Sequence, residues 1–126
     1  YINKMKLVLS WQDWFEDKLK KVAPNILIFG EKVSRLTNVT HFCIPDVQSE
    51  NIIFSMDIDD IIISSGSSCS SKVKKESYVV RSMKYSKKIA TNSVRVSWGW
   101  KSRKDELSIF IDKLKYITES YNIKAA

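Results

Sequence analysis

Few residues in this 126-residue sequence can do chemistry. It holds two cysteines, Cys43 and Cys69, and one histidine, His41. That set is too small for a structural zinc site, which takes four Cys or His ligands, and two cysteines do not make a disulfide framework. Cys69 stands apart because of its surroundings. The segment 64–71 is six serines, one glycine and one cysteine, directly after the β-branched run Ile61-Ile62-Ile63. Such a stretch adds little core, and rigid scaffolds often present functional groups on loops of this kind. A thiol is nucleophilic as the thiolate, and nearby positive charge lowers its pKa. The basic residues that begin at Lys72 could supply that charge. The same octet also reads as a plain Ser/Gly connector, and as a phosphate cradle it lacks the G-x-x-x-x-G-K-[ST] spacing. Cys43, between Phe42 and Ile44, reads as a small buried hydrophobe. His41, on the same apolar run, reads as structural.

The charge is unevenly spread. Between Lys72 and Lys104 stand 11 Lys and Arg against one acid, Glu76, whereas the rest of the chain has 10 bases and 13 acids. A one-sided block like this attracts acidic proteins, anionic ligands or nucleic acid, or simply faces water. It lacks the aromatic–basic interleaving of RNA binders, so nucleic acid is not the expected partner. Hydrophobic residues at 44% suffice for a core and argue against disorder. No stretch approaches the ~20 apolar residues of a membrane span. The chain opens on Tyr1 without an apolar signal segment, and reads as a cytoplasmic piece of something longer.

The elements that must position these residues follow from periodicity. Residues 4–22 place Val8, Trp11, Phe15, Leu19 and Val22 on one helical stripe, with Asp13, Glu16, Asp17, Lys18 and Lys20 mainly off it. Pro24 and Asn25 end that helix. Strands are predicted at 26–29, closed by Gly30, and at 39–44. Ser49 predicts the N-cap of a short helix through Met56. Residues 61–63 predict a buried strand. A helix at 75–83 follows, then a polar connector to Ala90. The alternation in 94–97 predicts a strand with one buried face. Ser102 with Asp105 has the form of a capping box. It opens a long helix carrying Leu107, Phe110, Ile111, Leu114, Ile117 and Tyr121 on one side. Strands and helices in this order predict an α+β fold, a small open sheet covered by helices.

Several of these segments, taken together, resemble one family. Ser64-Ser-Gly-Ser-Ser-Cys69-Ser-Ser71 looks like the active-cysteine loop of the cysteine desulfurases of the NifS/IscS type, in the class V aminotransferase family. Upstream, Arg35-Leu-Thr-Asn38-Val resembles the family's "LPN" entry to its small domain, and Glu50-Asn51-Ile52-Ile53 its "GESLL" helix. Downstream, Glu76-Ser-Tyr78-Val-Val80 is similar to "PSYVL", and Ser93-Val-Arg95-Val-Ser97-Trp-Gly99-Trp100 to "SIRFSLGR" or "SIRVSLGW". The motifs run in order from about Asn25 to Tyr116. Thr37 replaces the "LPN" proline, Lys84 a usual glycine, and Thr91 a frequent histidine.

The resemblance implies the C-terminal small domain of a fold-type I pyridoxal-phosphate transferase. Residues 25–126 would form that domain, and residues 1–24 the helix that joins it to the large-domain side. Such a joining helix would leave its apolar stripe partly exposed here, or covered by another copy. By resemblance Cys69 is the catalytic nucleophile, which takes sulfur from L-cysteine as a persulfide and releases alanine. Arg95 is the substrate-binding residue that holds the α-carboxylate. Asn38 would shape the pocket edge. Nothing resembles the family's "SGHK"-like cofactor segment, so pyridoxal phosphate is expected on the missing large domain and not on this fragment. The intact enzyme would be a cytoplasmic homodimer. It would pass sulfur to an acceptor scaffold protein for iron–sulfur clusters, or to thiolated RNA. A rival of another class is a free-standing, non-catalytic basic domain that binds an acidic protein.

Overall fold

The computed structural model describes residues 2–31, 36–66 and 85–125. The helix expected at 75–83, the loop beyond Gly66 and Arg35 lie outside the described residues, and Cys69 with them. In chain order the elements are α1 (Ile2–Leu9), α2 (Trp11–Val22), β1 (Leu27–Ile28), β2 (Val39–Cys43) and α3 (Ser49–Ser55). They continue with β3 (Ile61–Ser65), α4 (Lys87–Thr91), β4 (Val94–Trp98) and α5 (Lys104–Ala125).

The single helix expected over 4–22 is two. Ser10 interrupts it by turning both its backbone N–H and its hydroxyl onto the Leu7 carbonyl, at 3.0 and 2.6 Å. A serine that competes for backbone acceptors in this way is a known helix breaker. The stripe is nonetheless continuous and largely internal, with Val22 at its end partly buried. Val8, Trp11, Phe15 and Leu19 are buried in this chain's own core, so for these four residues the expectation of an exposed or copy-covered stripe is overturned. The reason is α5, whose Leu107, Phe110, Ile111 and Leu114 meet α2 over one face of the sheet. Phe15 packs edge-on against both Trp98 and Phe110, with centroids 5.5 and 5.6 Å apart. The Trp98 indole N–H donates to the Val8 carbonyl at 2.9 Å, tying the first helix to the last strand.

The four strands form one antiparallel sheet in the order β1-β2-β4-β3. The mixed helix-and-sheet architecture expected from the sequence is present. Several local expectations change. β3 is an edge strand rather than a buried one: Ile61 is buried but Ile62 is 70% exposed. It also runs on through Ser64 and Ser65, so the serine octet starts inside the sheet. The cap of α3 is Gln48, not Ser49; the Ser49 N–H is instead taken by the Asn92 side chain at 2.7 Å. At the start of α5 the reciprocal carboxylate is Glu106, not Asp105. It accepts from the Arg103 N–H at 2.8 Å and the Asp60 N–H at 3.0 Å, while Ser102 bonds the Asp60 carbonyl. The polar connector before Ala90 contains α4, capped by the Ser86 hydroxyl on the Ile89 N–H.

Candidate functional site

Pleating gives the sheet two faces of different character. Val94, Val96 and Trp98 of β4 point into the helix-covered core, and so do Ile28 and Phe42 on their strands. Their neighbours alternate to the other side. There the register sets His41, Arg95 and Ser64 in one row across β2, β4 and β3, and Phe29, just past β1, extends it. Phe29 donates its N–H to the His41 carbonyl, His41 pairs with Arg95, and Arg95 pairs with Ser64. Beyond His41 this face carries a small second cluster of Phe29, Cys43 and Ala90. Cys43 is 1% exposed, the buried hydrophobe expected.

Arg95 is half-buried in the middle of the row. Its side chain makes no hydrogen bond or ion pair with any other described residue, which leaves the guanidinium able to receive a carboxylate in two-pronged fashion. Its strand is pinned at both ends by asparagines. Asn38 donates its side-chain amide to the Trp98 carbonyl at 2.8 Å and accepts the Trp98 N–H on its own carbonyl at 3.1 Å. Asn92, one turn before β4, donates to the Val47 carbonyl at 2.8 Å while holding the Ser49 N–H. Asn38 therefore acts here as a clamp on the strand that carries Arg95.

His41 is the other titratable residue of the row. Its ring lies edge-on to Phe29 with centroids 5.1 Å apart, and Phe29 in turn meets Tyr85 at 5.0 Å. Its Nε2 is buried without a hydrogen-bond partner among the described residues. Burial pushes its pKa down to about 4, with the Arg95 charge acting in the same direction. The imidazole is therefore neutral at physiological pH. Gly66 lies against it. A Cβ on Gly66 would sit 2.1 Å from the Ser93 Oγ and 2.2 Å from His41 Nε2, closer than atoms can approach. The Gly66 N–H donates to the Ser93 carbonyl at 3.0 Å. This contact was not legible beforehand. His41, Gly66 and Ser93 are far apart in sequence, and no local pattern links them.

Gly66 closes β3 and is three residues ahead of Cys69 in the chain. The strand thus starts the cysteine segment beside Arg95, because Ser64 is Arg95's cross-strand partner. A separate groove of about 880 Å³, lined by Cys43, Asp46, Gln48, Lys88 and Asn92 among others, does not include Arg95. No group of three His, Cys, Asp or Glu that could hold a metal ion occurs among the described residues. The described residues do not fit pyridoxal phosphate either. The aldehyde needs a lysine in an enclosed cleft, and no described lysine is buried. No described helix is long and apolar enough to cross a membrane.

No protein-family model matches the chain. Among curated proteins it is 28% identical to the cysteine desulfurase IscS of Dictyoglomus turgidum over 117 residues, 93% of this chain and 30% of that protein. It is 31% identical over 91 residues to a cysteine desulfurase of Sinorhizobium fredii, covering 72% of this chain and 24% of the relative. Among solved structures, the NifS-like protein from Rickettsia africae superimposes with a TM-score of 0.71 at 28% identity. That match covers 89% of this chain and 28% of the other. The chain spans about 30% of the length of the curated relatives it matches. Along some nine-tenths of its own length, then, the chain is a homologue of the cysteine desulfurases of the NifS/IscS type.

Proposed function

We propose that this chain is the C-terminal small domain of a cysteine desulfurase, with Cys69 as sulfur carrier and Arg95 as substrate clamp. One observation supports it above others. β3 runs into the Cys69 segment from a residue paired with Arg95, so a nucleophile-bearing segment and a guanidinium unpaired among the described residues share one root. In this reading the Cys69 thiolate attacks the sulfur of bound L-cysteine. An S–S bond forms as the substrate C–S bond breaks, and the bonding pair stays with the carbon, which takes a proton to give alanine. The persulfide then remains on Cys69 for transfer to an acceptor protein. Arg95 would fix the substrate carboxylate, which suits its planar two-pronged geometry. Pyridoxal phosphate would be held by protein outside this chain.

The same reading makes residues 1–24 the segment leading in from the remainder of the enzyme, although α2 shares the core of residues 25–126. It also implies a cytoplasmic homodimer that feeds iron–sulfur cluster or thiolated RNA synthesis. Similarity to desulfurases along nine-tenths of the chain favours this over a non-catalytic basic domain for an acidic partner. The test is Cys69→Ser in the intact, cofactor-loaded protein. Sulfur transfer should vanish while the cofactor absorbance stays, and sulfur release undiminished by the substitution would refute the assignment. Arg95→Lys should lower kcat/KM for cysteine by about 10–100-fold, chiefly through KM, since a point charge replaces a bidentate fork.

A further inference from the structure

We propose that His41 is a positioning residue for the Cys69 segment, acting through Gly66; this rests on reading Cys69 as the sulfur carrier. The ring cannot give way easily. Phe29 meets it edge-on from one side, and Phe29 is itself backed by Tyr85. Strand β2, which carries it, is paired on both sides. Against this fixed ring lies the Gly66 backbone, so close that a methyl group there would penetrate both His41 and Ser93.

The chain therefore leaves β3 along a path set by two side chains from other strands and their loops. Three residues later comes Cys69, whose sulfur must reach a substrate held at Arg95, two strands from β1 in the same row. Small errors in the exit path become errors in thiol placement, and a misplacement of about 1 Å can cost on the order of 100-fold in rate.

The imidazole is an odd choice for a mere spacer. Nε2 is buried and has no partner among the described residues, and an unsatisfied buried nitrogen is unfavourable compared with an apolar ring of similar size. Its neutrality is what this position requires. A charged imidazolium would stand beside the Arg95 guanidinium and compete with it for a carboxylate. The ring combines the shape that seats Gly66 with an uncharged state next to the clamp.

The test uses the intact, cofactor-loaded protein and two readouts. The first is the rate at which iodoacetamide alkylates Cys69, followed by mass spectrometry with buried Cys43 as internal reference. The second is single-turnover alanine formation. His41→Ala should change the alkylation rate at Cys69 severalfold and slow alanine formation about 10–100-fold, with KM for cysteine within twofold. Gly66→Ala should act at least as strongly, and the double variant should do less damage than the two single effects combined, because each relieves the other's clash or void. His41→Asn, smaller and still uncharged, should keep part of the rate and serves if His41→Ala does not fold. Parent-like alkylation and alanine formation in folded His41→Asn and Gly66→Ala would overturn the proposal, as would strictly additive effects in the double variant. If Cys69→Ser leaves desulfuration intact, the carrier assignment fails, yet the alkylation response still reports whether His41 governs this segment.

Discussion

His41 gives the protein a pH response that can be worked out from one side chain. Its pKa falls from the ordinary 6.5 to about 4 in the fold, first by burial and then by the neighbouring Arg95 charge. Between those values the unfolded chain binds a proton that the folded chain refuses. Stability is therefore complete above about pH 6.5 and declines as pH falls toward 4. Denaturant titrations of this chain at pH 7.5 and pH 5 should differ by about 2 kcal/mol from this group, and His41→Asn should remove that part of the difference. A parent and variant with the same slope would show that the imidazole is solvated. At this scale the sequence was partly legible. Cys43 beside Phe42 and Ile44 announces a buried thiol, and it is one. The role of His41 was not legible, because it depends on Arg95, Gly66 and Phe29, which only the sheet register brings alongside.

At the scale of elements, β4 depends on its two asparagines. Asn92 ties the turn before β4 to the Ile44–Ser49 segment through bonds to the Val47 carbonyl and the Ser49 N–H. Asn92→Ala would remove both bonds and should cost about 2–3 kcal/mol, measurable by urea unfolding. A loss below half a kcal/mol would mean that water replaces the side chain freely. Long periodic segments were the readable ones: α5 and the stripe of α2 follow from their 3.6-residue spacing, and β4 from its alternation. Ends and edges were not readable. The Ile61-Ile62-Ile63 run cannot say that β3 lies at an edge, since strand order is fixed by tertiary pairing. Likewise Ser49 and Asp105 looked like caps, but Asn92 and Glu106 do that work from positions that tertiary contacts supply.

For the whole molecule, the decisive fact is one core shared by the beginning and the end of the chain. Phe15 is fully buried between Trp98 and Phe110. Phe15→Ala should therefore destabilise by about 3–5 kcal/mol, enough to unfold a marginal domain, with a matching drop in the midpoint of thermal unfolding. A cost near 1 kcal/mol would imply that α2 is a loosely attached arm. The family resemblance was legible in the motifs, which are short and local in sequence. The merging of α1 and α2 with the rest was not, because an amphipathic stripe shows that a helix is covered without showing by what.

The indole bond from Trp98 to Val8 has a consequence in time as well as in space. Its two ends are 90 residues apart in sequence, and the aromatic cluster around Phe15 is completed only by Phe110. Bringing such distant segments together costs loop entropy before any contact rewards it. During synthesis α1 and α2 must wait, with their apolar stripe bare, until α5 has been made. The chain should thus acquire protease resistance late and in one step, and a nascent chain halted before α5 should bind chaperones that the finished chain does not.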